Sequence, residues 1–275
     1  MDVKYELEKL TPLTVANTGG IGHGNVGAVS LRNFCIAIDS TVYVSTAELF
    51  RKNLEKHFGV PVKYLIITHY HGDHIFGIKS FKDLPVISSE LTSKVMENPE
   101  VKQRYQGYIE EFEKNDPLGK EIEYIFPDLL FKDTLIIQDE DLHIELYFAG
   151  GHTAGSSYVY FPAEKVLFAG DLIFENQFPY AGDETCDPEQ WIIQLEKLKA
   201  LNPDIIVPGH GPIMKGKESL DKHIDFFKSF REIIKDAIEN DFQPEKIEIP
   251  QVFEEVNEEL KSVTIDHWLN YYKNK

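Results

Sequence analysis

Four side chains able to hold a metal ion stand together in Thr68-His69-Tyr70-His71-Gly72-Asp73-His74, directly after the apolar run Tyr64–Ile67. In extended chain, residues two apart share a face, so His69 and His71 can reach one point. A turn at Gly72 lets Asp73 and His74 swing toward a second. Imidazole and carboxylate suit zinc and several other divalent ions, so the chemistry implied is that of metal-activated water. Histidines at a strand end also occur as ordinary surface or core residues, and one cluster does not decide between the two readings.

Three later segments repeat the arrangement. His152 follows Gly150-Gly151 after the strand-like Leu142–Phe148, Asp171 follows Gly170 after Val166–Phe168, and His210 follows Gly209 after Ile205–Val207. Each time a ligand-type side chain sits where an apolar strand yields to a glycine turn, and groups at neighbouring strand ends can converge on one cleft. The elements needed to bring them there are readable. Leu13–Ala16, Phe34–Ile38 and Tyr64–Ile67 read as strands, and Thr46–Phe58 has helical spacing closed by Gly59 and Pro61. Leu135–Gln138 with Leu142–Phe148, and Tyr158–Phe161 with Val166–Ala169, read as hairpins. A helix that starts at Asp187 or Pro188 and runs to about Ala200, and another over Ser219–Ile238, are expected. Thr18–Gly27, with five glycines, reads as a mobile hairpin tip and lacks the Gly-Lys-Ser/Thr of a phosphate loop. Glu90–Asp116 reads as a polar surface helix in preference to a lid or pocket wall.

In this order the four segments resemble the metallo-β-lactamase superfamily over roughly residues 12 to 235. The resemblance implies an α/β fold: a four-layer αβ/βα sandwich of two mixed β-sheets flanked by helices, with a dinuclear site along one edge. Carried over by position, it implies one metal on His69, His71 and His152, a second on Asp73, His74 and His210, and Asp171 bridging them. Typical zinc β-lactamases carry cysteine or serine where Asp171 stands, so the site resembles that of glyoxalase II, lactonases and related esterases and thioesterases. The acidic C-terminal part does not match the basic and tyrosine contacts by which glyoxalase II holds glutathione. Two divalent ions ~3.5–4 Å apart can share a hydroxide that attacks a carbonyl. Asp73 would orient that nucleophile and accept its proton, and Thr68, Asp39 and Ser40 are candidates to anchor the histidines from behind.

The implied function is a hydrolase using a dinuclear-metal-bound hydroxide on a small ester, thioester or lactone, with zinc as the expected metal and iron or manganese as alternatives. A mononuclear iron enzyme similar to the persulfide dioxygenases is a second reading, and a non-catalytic metal-binding interaction module a third. Candidate substrate-binding residues are Tyr70, Phe76, Phe178, Tyr180 and His23, with plain packing as the competing reading for the two tyrosines and loop exposure for His23.

Length and composition bound these readings. The 275 residues are 42% hydrophobic, enough for a sizeable core, and ligands spread from His69 to His210 must meet in one domain. We expect a catalytic domain over 1–240 and an acidic linker with an aromatic helix over 241–275, docking on the domain or on a partner subunit of a homodimer. The net charge of −18, from 46 acids against 28 bases, argues against a nucleic-acid partner and for a small-molecule substrate. No apolar stretch reaches the ~18 residues of a membrane span. Met1–Leu10 lacks an apolar signal core, and Cys35 and Cys186 do not make a disulfide framework, so a cytoplasmic location is expected.

Overall fold

The computed structural model describes residues 6–19 and 24–275. His23 lies outside the described residues, as do residues 20–22 of the glycine-rich tip. A seven-stranded sheet has the order β1 (Glu8–Lys9), β2 (Thr14–Asn17), β3 (Val26–Ser30), β4 (Cys35–Ile38), β5 (Val62–Ile66), β6 (Val86–Ser89) and β7 (Leu129–Phe131). Its first four strands pair antiparallel and its last four parallel. A six-stranded sheet runs from β8 (Thr134–Asp139) through β9 (Leu142–Phe148), β10 (Ser157–Phe161), β11 (Val166–Phe174) and β12 (Ile205–His210) to β13 (Met214–Lys215). Within it only β11 and β12 pair parallel.

Central strands such as β4 and β11 read as continuous apolar runs because both their faces are covered. In β4, Ile36 and Ile38 point into a core between the sheets, while Cys35 and Ala37 face an outer core. β11 alternates likewise: Val166 and Phe168 face the middle, and Leu167 and Ala169 the opposite outer core. Each fully buried aliphatic side chain of this kind contributes roughly 1.5–3 kcal/mol. Helices complete the four layers. On the first sheet lie α1 (Val44–Phe58), the single turn α2 (Gly72–Ile75), α3 (Glu90–Glu97) and α4 (Pro99–Asn115). On the second lie α5 (Pro188–Ala200), α6 (Asp221–Glu239) and α7 (Glu258–Lys273). Among the described residues, no helix is long and apolar enough to cross a membrane.

Two stretches differ from the sequence expectation. Glu90–Asp116 is two helices, because Asn98 caps α4 and Pro99 supplies its first residue. α4 is not merely a surface helix: Val101, Tyr105 and Ile109 are buried along it. The stretch expected as an acidic linker is packed, with Ile247 and Phe253 in the outer core beside α6. In α7, Trp268 is fully buried against Phe227 and Phe230 of α6. Thr264 Oγ1 accepts from the amide of Ala181 (3.0 Å), His267 Nε2 donates to the Cys186 carbonyl (3.1 Å), and Tyr271 donates to Asp187 (2.6 Å). This helix therefore clamps the loop that runs from β11 to α5.

Candidate metal centre

Of the seven expected ligands, His69, His152 and His210 sit at or just past the end of a strand, Asp171 lies within β11, and His71, Asp73 and His74 lie before and within the single turn α2. β5 delivers His69. His71 stands in extended conformation immediately before α2, whose single turn carries Asp73 and His74. Gly72 opens that turn, with a Cβ there meeting the Phe76 ring at 2.7 Å. His152 leaves β9 through Gly150 and Gly151, both at positive φ, and a Cβ on Gly151 would stand 2.8 Å from the Trp191 backbone. Asp171 sits where the pairing of β11 with β12 shifts register, and a Cβ at Gly209 would come 2.0 Å from its Oδ1. A strand without these glycines could not place the aspartate beside His210.

Two donor groups result, each with its ligand atoms mutually within 4.8 Å: His69, His71, His152 and Asp171 in one, Asp73, His74 and His210 in the other. Asp171 touches both. Its Oδ2 lies 3.6 Å from His69 Nε2, 3.4 Å from His152 Nε2 and 3.3 Å from His210 Nε2, and its Oδ1 lies 3.0 Å from His74 Nε2. Asp73 Oδ2 is 3.2 Å from His210 Nε2.

The far ring nitrogens are held from behind. His71 Nε2 donates to Asp183 (3.0 Å), which leaves Nδ1 facing His152 Nε2 at 3.0 Å. His152 Nδ1 donates to the Tyr180 carbonyl (3.0 Å). His69 Nδ1 donates to Thr68 Oγ1 (3.1 Å), whose hydroxyl donates to Asp39 (2.8 Å), and His74 Nδ1 donates to the same carboxylate (2.9 Å). Asp39 takes the left-handed region (φ 59°) to do so. Ser40, the third anchoring candidate, holds the His74 carbonyl through both its amide and its hydroxyl. Asp183 is absent from the sequence reading. It lies in a loop with no motif around it, and only its place shortly after Asp171 could have flagged it.

His69 Nε2, His74 Nε2 and Asp171 Oδ1 are buried without a hydrogen bond, the last two 3.0 Å apart yet not aligned as donor and acceptor. Buried polar atoms left unpaired are rare and call for an explanation. Nitrogens fixed by their far side and converging on a shared carboxylate are what a divalent metal pair requires, so the residues present fit such a pair.

Protonation splits the cluster. Burial, joined by the charge of His74, pushes His69 well below the usual imidazole value, and burial pushes His152 down to about 3. Burial also works against the charged forms of His74 and His210. There the surrounding carboxylates outweigh it, Asp171 first, holding His74 well above its ordinary value and His210 at about 10. Burial favours the neutral form of Asp171 and Asp73, but the neighbouring histidines overcome it and hold both carboxyls far below the usual range.

A cavity of about 460 Å³ opens onto His71, Gly72 and Asp73, walled by Phe76, Tyr180 and the α4 residues Arg104, Tyr105, Tyr108 and Phe112. Of the expected substrate residues, Phe76 and Tyr180 are here. Phe178 is not: its ring packs against Phe226, Phe230 and Phe253 in the outer core, because β11 runs on to Phe174 and turns the chain inward. Tyr70 is fully buried and donates to Asp183 (2.6 Å), behind His71.

The family model described as the metallo-beta-lactamase superfamily matches residues 19–210. The chain belongs to this superfamily. It is 28% identical over 200 residues to a "Beta-lactamase-like protein 2 homolog" of Caenorhabditis elegans (71% of this chain, 57% of that protein). It is 26% identical over 204 residues to a "Linear primary-alkylsulfatase" of Pseudomonas (63% and 38%). The chain thus spans little more than half of the first relative and well under half of the second. Among solved structures, a stereoselective inverting sec-alkylsulfatase from Pseudomonas superposes with a TM-score of 0.73 over 98% of this chain and 50% of that one, at 15% identity. That likeness shows the metallo-β-lactamase fold alone.

Proposed function

We propose that this superfamily member is a metal-dependent hydrolase with a dinuclear centre, zinc before iron or manganese, acting on a small ester, thioester or lactone. The observation that carries the reading is Asp171, shared by two donor groups in which its Oδ1, His69 Nε2 and His74 Nε2 are buried and unpaired, beside an aromatic-walled cavity that opens onto His71 and Asp73. Bound metal ions would supply a hydroxide at neutral pH and polarise the carbonyl of the substrate. The chain supplies the rest. Asp73, a quarter exposed and facing the cavity, orients the attacking water and accepts its proton. Asp39 and Asp183 fix the imidazoles from behind. Phe76 and Tyr180 flank the substrate and limit water around it.

Metal analysis of untagged protein, followed by an ester, thioester and lactone panel, tests this. About two divalent ions per chain, with hydrolysis lost on chelation, supports it. A single iron per chain, with oxygen uptake on a persulfide, replaces it with the dioxygenase reading. A protein that takes up no metal on addition is not this enzyme.

A further inference from the structure

We propose that Arg104 selects substrates bearing one negative charge away from the bond that is cut, a carboxylate on an apolar or aromatic body. The inference rests on the hydrolase reading above and names the substrate class of the same cavity.

Arg104 is the one arginine or lysine on the cavity wall among the described residues. Its partner is Glu184, reached through a single 3.3 Å contact between side chains 40% and 63% exposed. A pair so hydrated is weak, and a ligand carboxylate offering both oxygens to the guanidinium fork can take its place. The neighbouring Asp183 offers no such exchange, since Tyr70, His71 and Thr185 all donate to it.

The wall beside Arg104 is apolar. Tyr108, 47% exposed, stands one helical turn further along α4 on the cavity wall, in edge contact with Tyr105. Phe76 packs edge-on against both Tyr105 and Phe112, so the rings form one continuous face. An apolar body lying on that face places its tail at Arg104 and its reacting carbonyl toward Asp73. Asp73, Asp183 and Glu184 around the cavity, and the net charge of −18, oppose a polyanion. One charge on the ligand matches the one guanidinium.

Calorimetry on the full chain with 4-phenylbutyrate and its uncharged twin 4-phenylbutanamide tests the proposal without any reaction. The carboxylate is expected to bind about tenfold tighter. Arg104→Gln should erase that preference, and Glu184→Gln, which frees the guanidinium, should enlarge it. Equal binding of the two probes, no binding of either, or a preference that survives Arg104→Gln (the sign of a carboxylate held at the metal centre instead) would overturn it. In parallel, the ratio of kcat/KM for phenyl hydrogen glutarate over phenyl methyl glutarate should exceed unity and collapse in Arg104→Gln through KM. Binding selectivity with neither ester cleaved would reject the hydrolase reading while leaving the anion site standing.

Discussion

The two donor groups meet at Asp171 but are built differently. In the first, His69 and His152 are buried with depressed proton affinity and stand ready as neutral ligands. Each of its three histidines is hydrogen-bonded on the far side, to Thr68, Asp183 and the Tyr180 carbonyl. In the second, His74 and His210 are held protonated by Asp171 and Asp73. His74 is anchored on Asp39, whereas His210 lies stacked on Phe174, with ring centroids 5.0 Å apart at 6°. A metal entering the first group meets free lone pairs, and one entering the second must displace protons. The same residue types thus make a prepared position and a proton-gated one, through burial on one side and carboxylate density on the other.

The largest expected effect comes from removing what the two share. Asp171→Ala should cost metal at both positions and abolish turnover, and plasma mass spectrometry of the dialysed variant reads the first of these. Retention of one full equivalent would mean that the groups do not depend on a common bridge. Asp73→Asn comes next: it should keep most of the metal and lower kcat by roughly 10²–10⁴-fold, checked by steady-state kinetics on any substrate the panel finds. Near-native turnover would remove Asp73 from the proton step.

Acid should separate the positions. Because His74 and His210 have raised proton affinity in the metal-free cluster, protons compete with metal there throughout the neutral range, and affinity must fall as pH falls. His69 and His152 bind no proton until well into acid, so their position keeps its metal longer. Dialysis at about pH 5.5 and about pH 8.5 should show the second position emptying first. Simultaneous loss would break the contrast. The smallest effect sharpens it: Asp183→Asn, which touches only His71 of the first group, should weaken that position by about 10–100-fold and leave the other near its starting affinity, read by competition with a coloured chelator.

Much of the donor cluster was legible because each of the four segments that carry it pairs an apolar run with a glycine, and those signals are local. The layering was legible for the same reason, in strands such as Phe34–Ile38 and Val166–Phe168 that are apolar on both faces. The anchoring was only half legible. Asp39, Ser40 and Thr68 lie beside strand ends and could be nominated, while Asp183 reaches His71 across more than a hundred residues of sequence with no motif to mark it. Phe178 and Tyr70 show the converse: an aromatic close in sequence to a ligand can turn into the core or behind the ligand, and sequence proximity does not say which way a side chain faces. The stretch that forms α4 reads as a surface helix in preference to a pocket wall because its apolar residues are thinly spread among charges, and it is the cavity that gives Arg104, Tyr108 and Phe112 a common face.

α7 binds the loop at Ala181, Cys186 and Asp187, and that loop carries the carbonyl and the carboxylate that aim His152 and His71. Fraying of a helix that begins about fifty residues beyond His210 would therefore loosen two imidazoles at once. Local unfolding of such a segment is an ordinary low-energy excursion. In a metal-loaded centre it would double as a route for metal exchange, so occupancy should retard amide hydrogen exchange along Glu258–Lys273 as well as around the histidines themselves.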